Sequence, residues 1–314
     1  MLWQKNWVQL EFYSYMIHKT VLLHESIDGL DIHSGDIYLD GTLGGAGHAE
    51  YALNKVQGNI TIIGLDRDTD AIERSRKRLE NIVDSKKVFL IQSNYSEMDK
   101  AMDSIGIHKV NRIMLDLGLS SDQFEISGRG FTFKNDEPLL MTFKKDLNEN
   151  DLTAYQIVNN WQEESIADII YGYGEEKYAR RIARGIINYR SKKSIDTTNE
   201  LVEIINQSVP FFYKRGRIHP ATRTFQALRI TVNDELNSLK KGLEIGFERL
   251  MNKGRMAVIS FHSLEDRIVK NFNKEKENAD LAIIHTRKPI VPSESEISEN
   301  PRSRSAKLRI LEKK

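Results

Sequence analysis

Three aspartates close apolar runs in the N-terminal half of the chain. Asp40 follows Ile37 to Leu39, Asp66 follows Ile60 to Leu65, and Asp116 ends the run that begins at Val110. A fourth run, Val88 to Ile91, is followed by Asn94 and Tyr95. Continuous apolar runs of this length suit parallel strands buried on both faces. Ligands of open α/β sheets bind beyond the carboxyl ends of such strands. Asp40, Asp66, Tyr95 and Asp116 therefore fall on one expected edge, the pattern of a nucleoside-cofactor site. Asp66 lies about twenty residues beyond a glycine loop, where a nucleotide-binding unit places the carboxylate that accepts ribose hydroxyls. A helix N-cap is the alternative role, which Asp68 or Asp70 could take instead. Tyr95 stands where an aromatic could meet adenine. Asp40, directly at a strand end, suits a ligand with an ammonium group better than one with a pyrophosphate.

The glycine loop is Gly41-Thr42-Leu43-Gly44-Gly45-Ala46-Gly47-His48, four glycines in seven residues between a short strand and a helix from Ala49. Glycines let the backbone turn tightly and approach a ligand with no Cβ in the way. The helix start offers N–H groups to a polar or anionic ligand group. The spacing is not G-x-G-x-x-G, and no Gly-Lys-Ser/Thr follows, so neither a dinucleotide fingerprint nor a phosphate loop is present. S-adenosylmethionine, with an ammonium on its methionine half, fits an acid at the strand end. An ordinary strand–turn–helix loop is the alternative, and the spaced Asp66 argues against it.

The chain has 314 residues, 39% hydrophobic and 29% charged, a soluble globular composition long enough for one large or two modest domains. Net charge is +1, so a nucleic-acid partner must be held by local basic patches rather than by the whole-protein field. No cysteine is present, which excludes disulfides and cysteine–zinc sites and fits a reducing cytoplasm. No metal is expected. No apolar run reaches membrane-spanning length. Residues 1–15 lack the apolar core of a signal peptide and precede any domain-like pattern, so they are expected to be a poorly ordered extension before a start at Met16.

From about Gly128 the strand rhythm stops, and residues 128–216 read as a helical insertion between two parts of an α/β domain, 16–127 and 217–314. Leu152, Tyr155, Val158 and Trp161 form one apolar stripe, and Tyr178, Ile182 and Ile186 another. Thr197 and Glu200 have capping-box spacing. Lys177, Arg180, Arg181, Arg184, Arg190, Lys192 and Lys193 make a basic stretch without an acid, either a solvated helix face or a phosphate-contacting patch. Beyond it, Lys214, Arg215 and Arg217 begin a second basic stretch. From His219 onward, Phe225, Leu228, Val232, Leu236 and Leu239 make an apolar core stripe, and Thr222, Gln226, Arg229 and Asn233 make a second stripe on another face. These are groups with defined hydrogen-bonding geometry, suited to holding a base or to a helix–helix network. Ser263-x-x-Asp266 reads as a helix cap.

Several motifs in order, HKTVLLHE, DGTLGGAGHA, GLDRD, DLGLSSDQF, GRGFTF, YGEEKYARRIAR, HPATRTFQALRI, ISFHSLEDRIVK and ENPRSRSAKLR, resemble those of the bacterial small-subunit ribosomal RNA cytidine N4-methyltransferases, the RsmH or MraW family. The match runs over nearly the whole chain from Met16. It implies a class I (Rossmann-like) S-adenosylmethionine-dependent methyltransferase fold of α/β class with an inserted helical domain for substrate recognition. It implies methyl transfer to N4 of a cytidine in the decoding region of 16S rRNA. By motif, Ala46, Gly47 and His48 match the cofactor loop, Asp66 the ribose acid, and Tyr95 the aromatic near the base; Gly45, in the same loop, is a further candidate cofactor contact. Asp116 and Gln123 match further cofactor contacts. One departure stands out. Where the family often reads Pro-Leu-Asp-Met-Arg-Met, this chain has Pro138-Leu139-Leu140-Met141-Thr142-Phe143, without the acid and the base.

An exocyclic cytosine amine is a poor nucleophile, so such an enzyme must align it and polarise its N–H with acceptors. Asp116 and the carbonyls after it are the candidates. Gln226, Arg229 and Asn233 are candidates to hold the base, and Lys214, Arg215 and Arg217 to hold flanking phosphates. A paired cytidine would have to leave its stack. The expected partner is the small ribosomal subunit in the cytoplasm, not DNA or membrane, with the oligomeric state open and a homodimer among the options. Two rivals are a nicotinamide-dependent oxidoreductase, which the loop spacing disfavours, and a non-catalytic RNA-binding assembly factor with cofactor affinity.

Overall fold

A computed structural model describes residues 19–79, 87–118, 127–145, 147–149 and 151–314. The proposed 1–15 extension and Gln123 lie outside the described residues. Strand Thr61–Asp66 (β2) has the uninterrupted apolar character that burial on both faces requires, with Ile62, Ile63 and Leu65 fully enclosed. The same logic builds Ile37–Asp40 (β1), Val110–Asp116 (β4) and the second half of Leu250–Ser260 (β5), whereas Val88–Gln92 (β3) lies at the sheet edge and is only half-buried. Ala282–Ile284 (β6) and Lys307–Lys313 (β7) complete a seven-stranded sheet of order β3-β2-β1-β4-β5-β7-β6. The first five strands run parallel, and β7 runs antiparallel to both β5 and β6.

Helices Leu23–Leu30 (α1), Gly47–Lys55 (α2) and Thr69–Leu79 (α3) carry much of the apolar cluster that includes Leu22, Leu53 and Ile62. The cluster around Leu39, Met98 and Phe247 draws on Met98–Ser104 (α4) and later helices. The order of the sheet reverses between β1 and β4, the point at which α/β sheets open a crevice. In register, Asp40 lies opposite Met114 and Asp116 opposite Ile259, so the two acids sit at neighbouring ends of this reversal.

A further apolar cluster runs from Phe131 to Leu228. It is made by Ala154–Asn160 (α5), Glu163–Gly172 (α6), Ala179–Arg190 (α7) and Thr198–Ser208 (α8), with the short turn Phe211–Lys214 (α9) beyond. Thr197 and Glu200 do form a capping box at the start of α8. Tyr155, expected on a core stripe, is 39% exposed, because α5 turns Ala154, Ile157 and Val158 inward. The next helix, Ala221–Asn233 (α10), adds Ala221, Phe225, Ala227 and Leu228 to this cluster. The apolar stripe that continues in sequence to Leu236 does not lie on one helix. Asp234 takes φ 49°, a left-handed turn, and Glu235–Arg249 (α11) starts afresh. Ser263–Asn278 (α12) follows β5, and Glu294–Glu299 (α13) precedes β7. Among the described residues no helix is long and apolar enough to cross a membrane.

Candidate active site

The loop after β1 is shaped by close approach. A Cβ on Gly47 would fall 1.9 Å from Thr20 Oγ1, and one on Gly41 2.5 Å from Leu115 Cδ2. Ala46, the N-cap of α2, has φ 59°, the left-handed region that costs an L-residue roughly 1–2 kcal/mol. Helix α3 fastens the loop from behind: Ser75 Oγ donates to the Gly44 carbonyl at 2.9 Å and Arg78 Nη1 to the Gly45 carbonyl at 2.7 Å. Gly44 N–H donates to Asp66 Oδ2 at 2.9 Å, tying the loop to the end of β2. Asp68 N–H donates to Asp66 Oδ1 at 2.9 Å. The capping role falls to Asp68, whose Oδ1 accepts from Asp70 N–H at 3.0 Å, so Asp66 keeps lone pairs toward the cleft.

Gly45, Gly47, His48, Asp66, Tyr95 and Asp116 all line one cleft at the carboxyl edge of the sheet. The His48 ring is buried, with Nε2 3.2 Å from the Val21 carbonyl. Tyr95 packs over Gly242, where a Cβ would fall 2.5 Å from its ring. Ala46 and Asp40 lie beneath the loop, not on the cleft wall, at 0% and 1% exposure. Asp40 Oδ1 accepts from Thr42 N–H at 3.1 Å and Oδ2 from Tyr38 OH at 3.3 Å. Thr42 Oγ1 then accepts from Asp116 N–H at 2.6 Å, linking the ends of β1 and β4.

Burial pushes the Asp40 carboxyl up to about 7. It pushes Asp116 up to about 7 as well, with the Asp40 charge adding to the rise. Asp66 is also raised by burial, against the opposing hydrogen bonds from Asp68 and Gly44. Asp116 Oδ1 is enclosed and has no hydrogen-bond partner among the described residues. An orphaned acceptor at a strand end, on the wall of a cleft, is a place for a ligand N–H or O–H.

Three members of the polar stripe of α10 face the protein, and the fourth, Thr222, is exposed. Gln226 Nε2 donates to the Tyr173 carbonyl at 3.0 Å. Arg229 pairs through Nε and Nη2 with both oxygens of Glu235, at 2.9 and 2.8 Å. Asn233 accepts from Phe143 N–H at 2.8 Å and donates to the Met141 carbonyl at 2.7 Å. This helix therefore clamps the 141–143 segment, whose Phe143 reaches the cleft. Lys214, Arg215 and Arg217 lie away from the cleft wall on an exposed turn.

With this geometry in place, the profile of the MraW methylase family matches residues 15–314. The chain belongs to the MraW methylase family. It is 43% identical over 311 residues to the Ribosomal RNA small subunit methyltransferase H of Brevibacillus brevis, covering 94% of this chain and 98% of that one. It is 45% identical over 294 residues to the protein of that name in a Sulfurihydrogenibium species, covering 93% and 98%. Its identity to the protein of that name in Acetivibrio thermocellus is 45% over 311 residues, covering 94% and 98%.

Asn94, beside Tyr95 at the end of β3, lines the wall as well. Other cleft residues of this MraW methylase escape a reading of strand ends: Thr42, Arg67, Phe143, Glu235, Glu265 and Arg302. The helix cap expected at Ser263 is one residue earlier: His262 Nδ1 accepts from Glu265 N–H at 3.4 Å, and Glu265 Oε2 accepts back from His262 N–H at 3.3 Å. Asp266 instead pairs with Arg309 at 2.7 Å. Glu235, His262 and Glu265 bring ligand-type atoms within 4.8 Å of one another. Three hydrogen bonds weigh against a metal there. Arg229 occupies both Glu235 oxygens, and an accepting Nδ1 leaves the proton of a neutral His262 on Nε2. The departure from the family motif, Leu140 and Thr142, sits in a stretch held by main-chain bonds. Met141 N–H donates to the Arg129 carbonyl at 2.7 Å, and Ala154 N–H donates to the Leu140 carbonyl at 3.0 Å.

Proposed function

We propose that this chain transfers a methyl group from S-adenosylmethionine to the N4 amine of a cytidine in the decoding region of 16S rRNA within the small ribosomal subunit. The observation that carries the reading is the row of groups along one sheet edge. Asp66 stands over β2, the glycine loop over β1, Asp116 over β4 and Glu265 just beyond β5. The names of the close relatives point the same way.

The residues fit the cofactor. Gly45, Gly47, Asp66 and Tyr95 line the same cleft, and Asp116 Oδ1 is an enclosed acceptor without a partner among the described residues. Asp66 would take the ribose hydroxyls, Tyr95 the adenine, and the Gly45–His48 turn the methionine half. S-adenosylmethionine supplies a methyl group on a sulfonium, an electrophile that needs no activation. The protein's task is to hold the amine in line and to take its proton. Asp116 would carry that role: as the amine takes the methyl group and the methyl C–S bond breaks, leaving S-adenosylhomocysteine, its carboxylate would accept one N4–H proton and release it to solvent. A base whose pKa is about 7 is matched to work near neutral pH.

The 128–216 insertion, with α10 packed into its core, serves as the substrate-recognition unit, and the enzyme works in the cytoplasm where subunits assemble. The test is methyl transfer to assembled small subunits, with mass spectrometry of the 16S rRNA. N4-methylcytidine in the decoding region is the expected product. Cofactor binding without any transfer to RNA would overturn the reading in favour of a non-catalytic assembly factor.

A further inference from the structure

The turn that leads out of the insertion exposes aromatic side chains that neither the cleft nor the core uses. Phe211 and Phe212 are 66% and 67% exposed, and Ile218 is 54% exposed. Exposed adjacent phenylalanines at a turn are unusual unless something covers them. Their surroundings are cationic. Arg215 Cζ stands 4.5 Å from the Phe211 ring centroid. The next aromatic, Tyr213, packs edge-on to Tyr178 with centroids 4.9 Å apart. Lys177 Nζ lies 5.1 Å from the Tyr178 ring and 5.2 Å from the Tyr213 ring, and Arg181 Cζ lies 5.7 Å from Tyr178. The two basic stretches that are separate in sequence, 177–193 and 214–229, thus meet in one strip of rings and cations. No Asp or Glu occurs from residue 204 to residue 233.

The strip is tied to the cleft wall. Tyr213 OH donates to Glu176 Oε2 at 2.6 Å, and Ser263 Oγ donates to the neighbouring Glu175 Oε2 at 2.7 Å. Ser263 opens α12, whose Glu265 lines the cleft. The strip is therefore connected to the cleft wall through Glu176, Glu175 and the start of α12.

We infer that Phe211 and Phe212 form a stacking platform for unpaired bases of the RNA beside the target nucleotide, with Lys177, Lys214, Arg215 and Arg217 on the flanking phosphates. The inference rests on the RNA reading above and adds where and how the flanking strand is held. Rings interleaved with basic side chains match a polymer that presents a flat face and a negative charge at every step. A lipid surface fits less well, because α9 spans four residues and offers no amphipathic helix to lie in a membrane interface.

The two kinds of contact separate experimentally. Stacking is nearly independent of salt, whereas each phosphate contact steepens the dependence of affinity on salt. The double substitution Phe211→Ala, Phe212→Ala should weaken binding of a ten-nucleotide single-stranded RNA by about tenfold or more, the effect of losing a base–aromatic stack. The slope of log affinity against log salt should stay unchanged. Phe211→Trp, Phe212→Trp should restore affinity. Melting temperature and S-adenosylhomocysteine affinity should match the unsubstituted protein, since both side chains are exposed. Unchanged RNA affinity in the alanine variant would overturn the inference, as would an affinity loss accompanied by a flatter salt slope. Loss of binding to phosphatidylserine vesicles with RNA affinity intact would also overturn it, assigning the platform to a membrane. Methylation of small subunits by the unsubstituted protein, run in parallel, tests the underlying RNA reading by itself.

Discussion

A carboxylate enclosed by protein ionises late, and the two strand-end acids at the sheet reversal illustrate what this does to chemistry. In the proton-accepting role proposed for it, Asp116 must be ionised, so the rate of methyl transfer should rise with pH through about 7. Asp40 is enclosed, and its charge contributes to the raised value of Asp116. Asp40→Asn removes that repulsion, so Asp116 ionises more readily and the ascending limb of the rate profile should move to lower pH. Single-turnover rates between pH 5.5 and 9 check this, and an unmoved limb would take Asp116 out of the proton-transfer step. The same acids act on stability with a definite sign. Between the ordinary carboxylate range and about 7 the folded protein retains protons that the unfolded chain releases, so stability falls as pH rises through that window. Asp66 belongs to a different class, because its two oxygens already accept N–H groups from Gly44 and Asp68 and can accept ribose hydroxyls as well. Asp66→Ala should lower S-adenosylhomocysteine affinity by about tenfold or more, from loss of hydrogen bonds to a charged group worth roughly 1.5–3 kcal/mol. Calorimetry reads this directly, and an unchanged affinity would remove Asp66 from the site.

Helix α10 shows how an element can carry polar residues that hold the fold rather than a ligand. Asn233 joins it to the 141–143 segment through two main-chain groups, and Arg67 Nη1 donates to the Asn233 carbonyl at 3.1 Å. Asn233→Ala strands the Phe143 N–H and the Met141 carbonyl, and should cost about 2–3 kcal/mol in chemical denaturation. It should also weaken substrate use more than cofactor binding, because Phe143 reaches the cleft beside Arg67. A variant as stable as the parent would show that the clamp is dispensable. The strands of the sheet were legible in the sequence because a strand buried on both faces leaves a solid apolar run, and an acid at its end stands out. The stripe of Gln226, Arg229 and Asn233 was legible as a stripe but not in its partners. Those partners, the Tyr173 carbonyl, Glu235 and the 141–143 main chain, come together only when the insertion packs on α10. The His262–Glu265 cap was hidden for a different reason. Ser263 is a commoner capping residue, and Ser263-x-x-Asp266 offers the same spacing one position later. The break at Asp234 left no mark in the hydrophobic pattern, since a left-handed residue interrupts a helix without interrupting its stripe.

At the scale of the whole molecule, 46 basic residues balance 45 acidic ones, so RNA affinity has to come from where the charges sit. The structure sorts the two basic stretches, and the cations near the C-terminus, by what already neutralises them. Near the C-terminus, Lys307 and Arg309 both pair with Asp266, and Arg309 is buried. In the 177–193 stretch, Arg184 pairs with Glu163, Lys193 with Glu200, and Arg190 donates to the Val158 carbonyl. In the 214–229 stretch, Arg229 is committed to Glu235 and Arg223 donates to the Glu175 carbonyl. Lys214, Arg215 and Arg217 remain on the exposed turn, and among the described residues none of the three has a carboxylate partner. An unneutralised cation in solvent keeps its counterion-releasing capacity for phosphate, whereas a paired one must first break its ion pair. Substituting Lys214, Arg215 and Arg217 together by glutamine should therefore weaken small-subunit binding and flatten its salt dependence. Each lost phosphate contact should shallow the slope of log affinity against log salt by roughly 0.7 for a single strand. S-adenosylhomocysteine affinity should not change, because the cleft lies at the strand ends and none of the three lines it. Binding isotherms at four or more salt concentrations measure both quantities. If the triple variant keeps the parent's affinity and slope, the RNA does not cross this turn, and the remaining cations of the 177–193 helix face become its path.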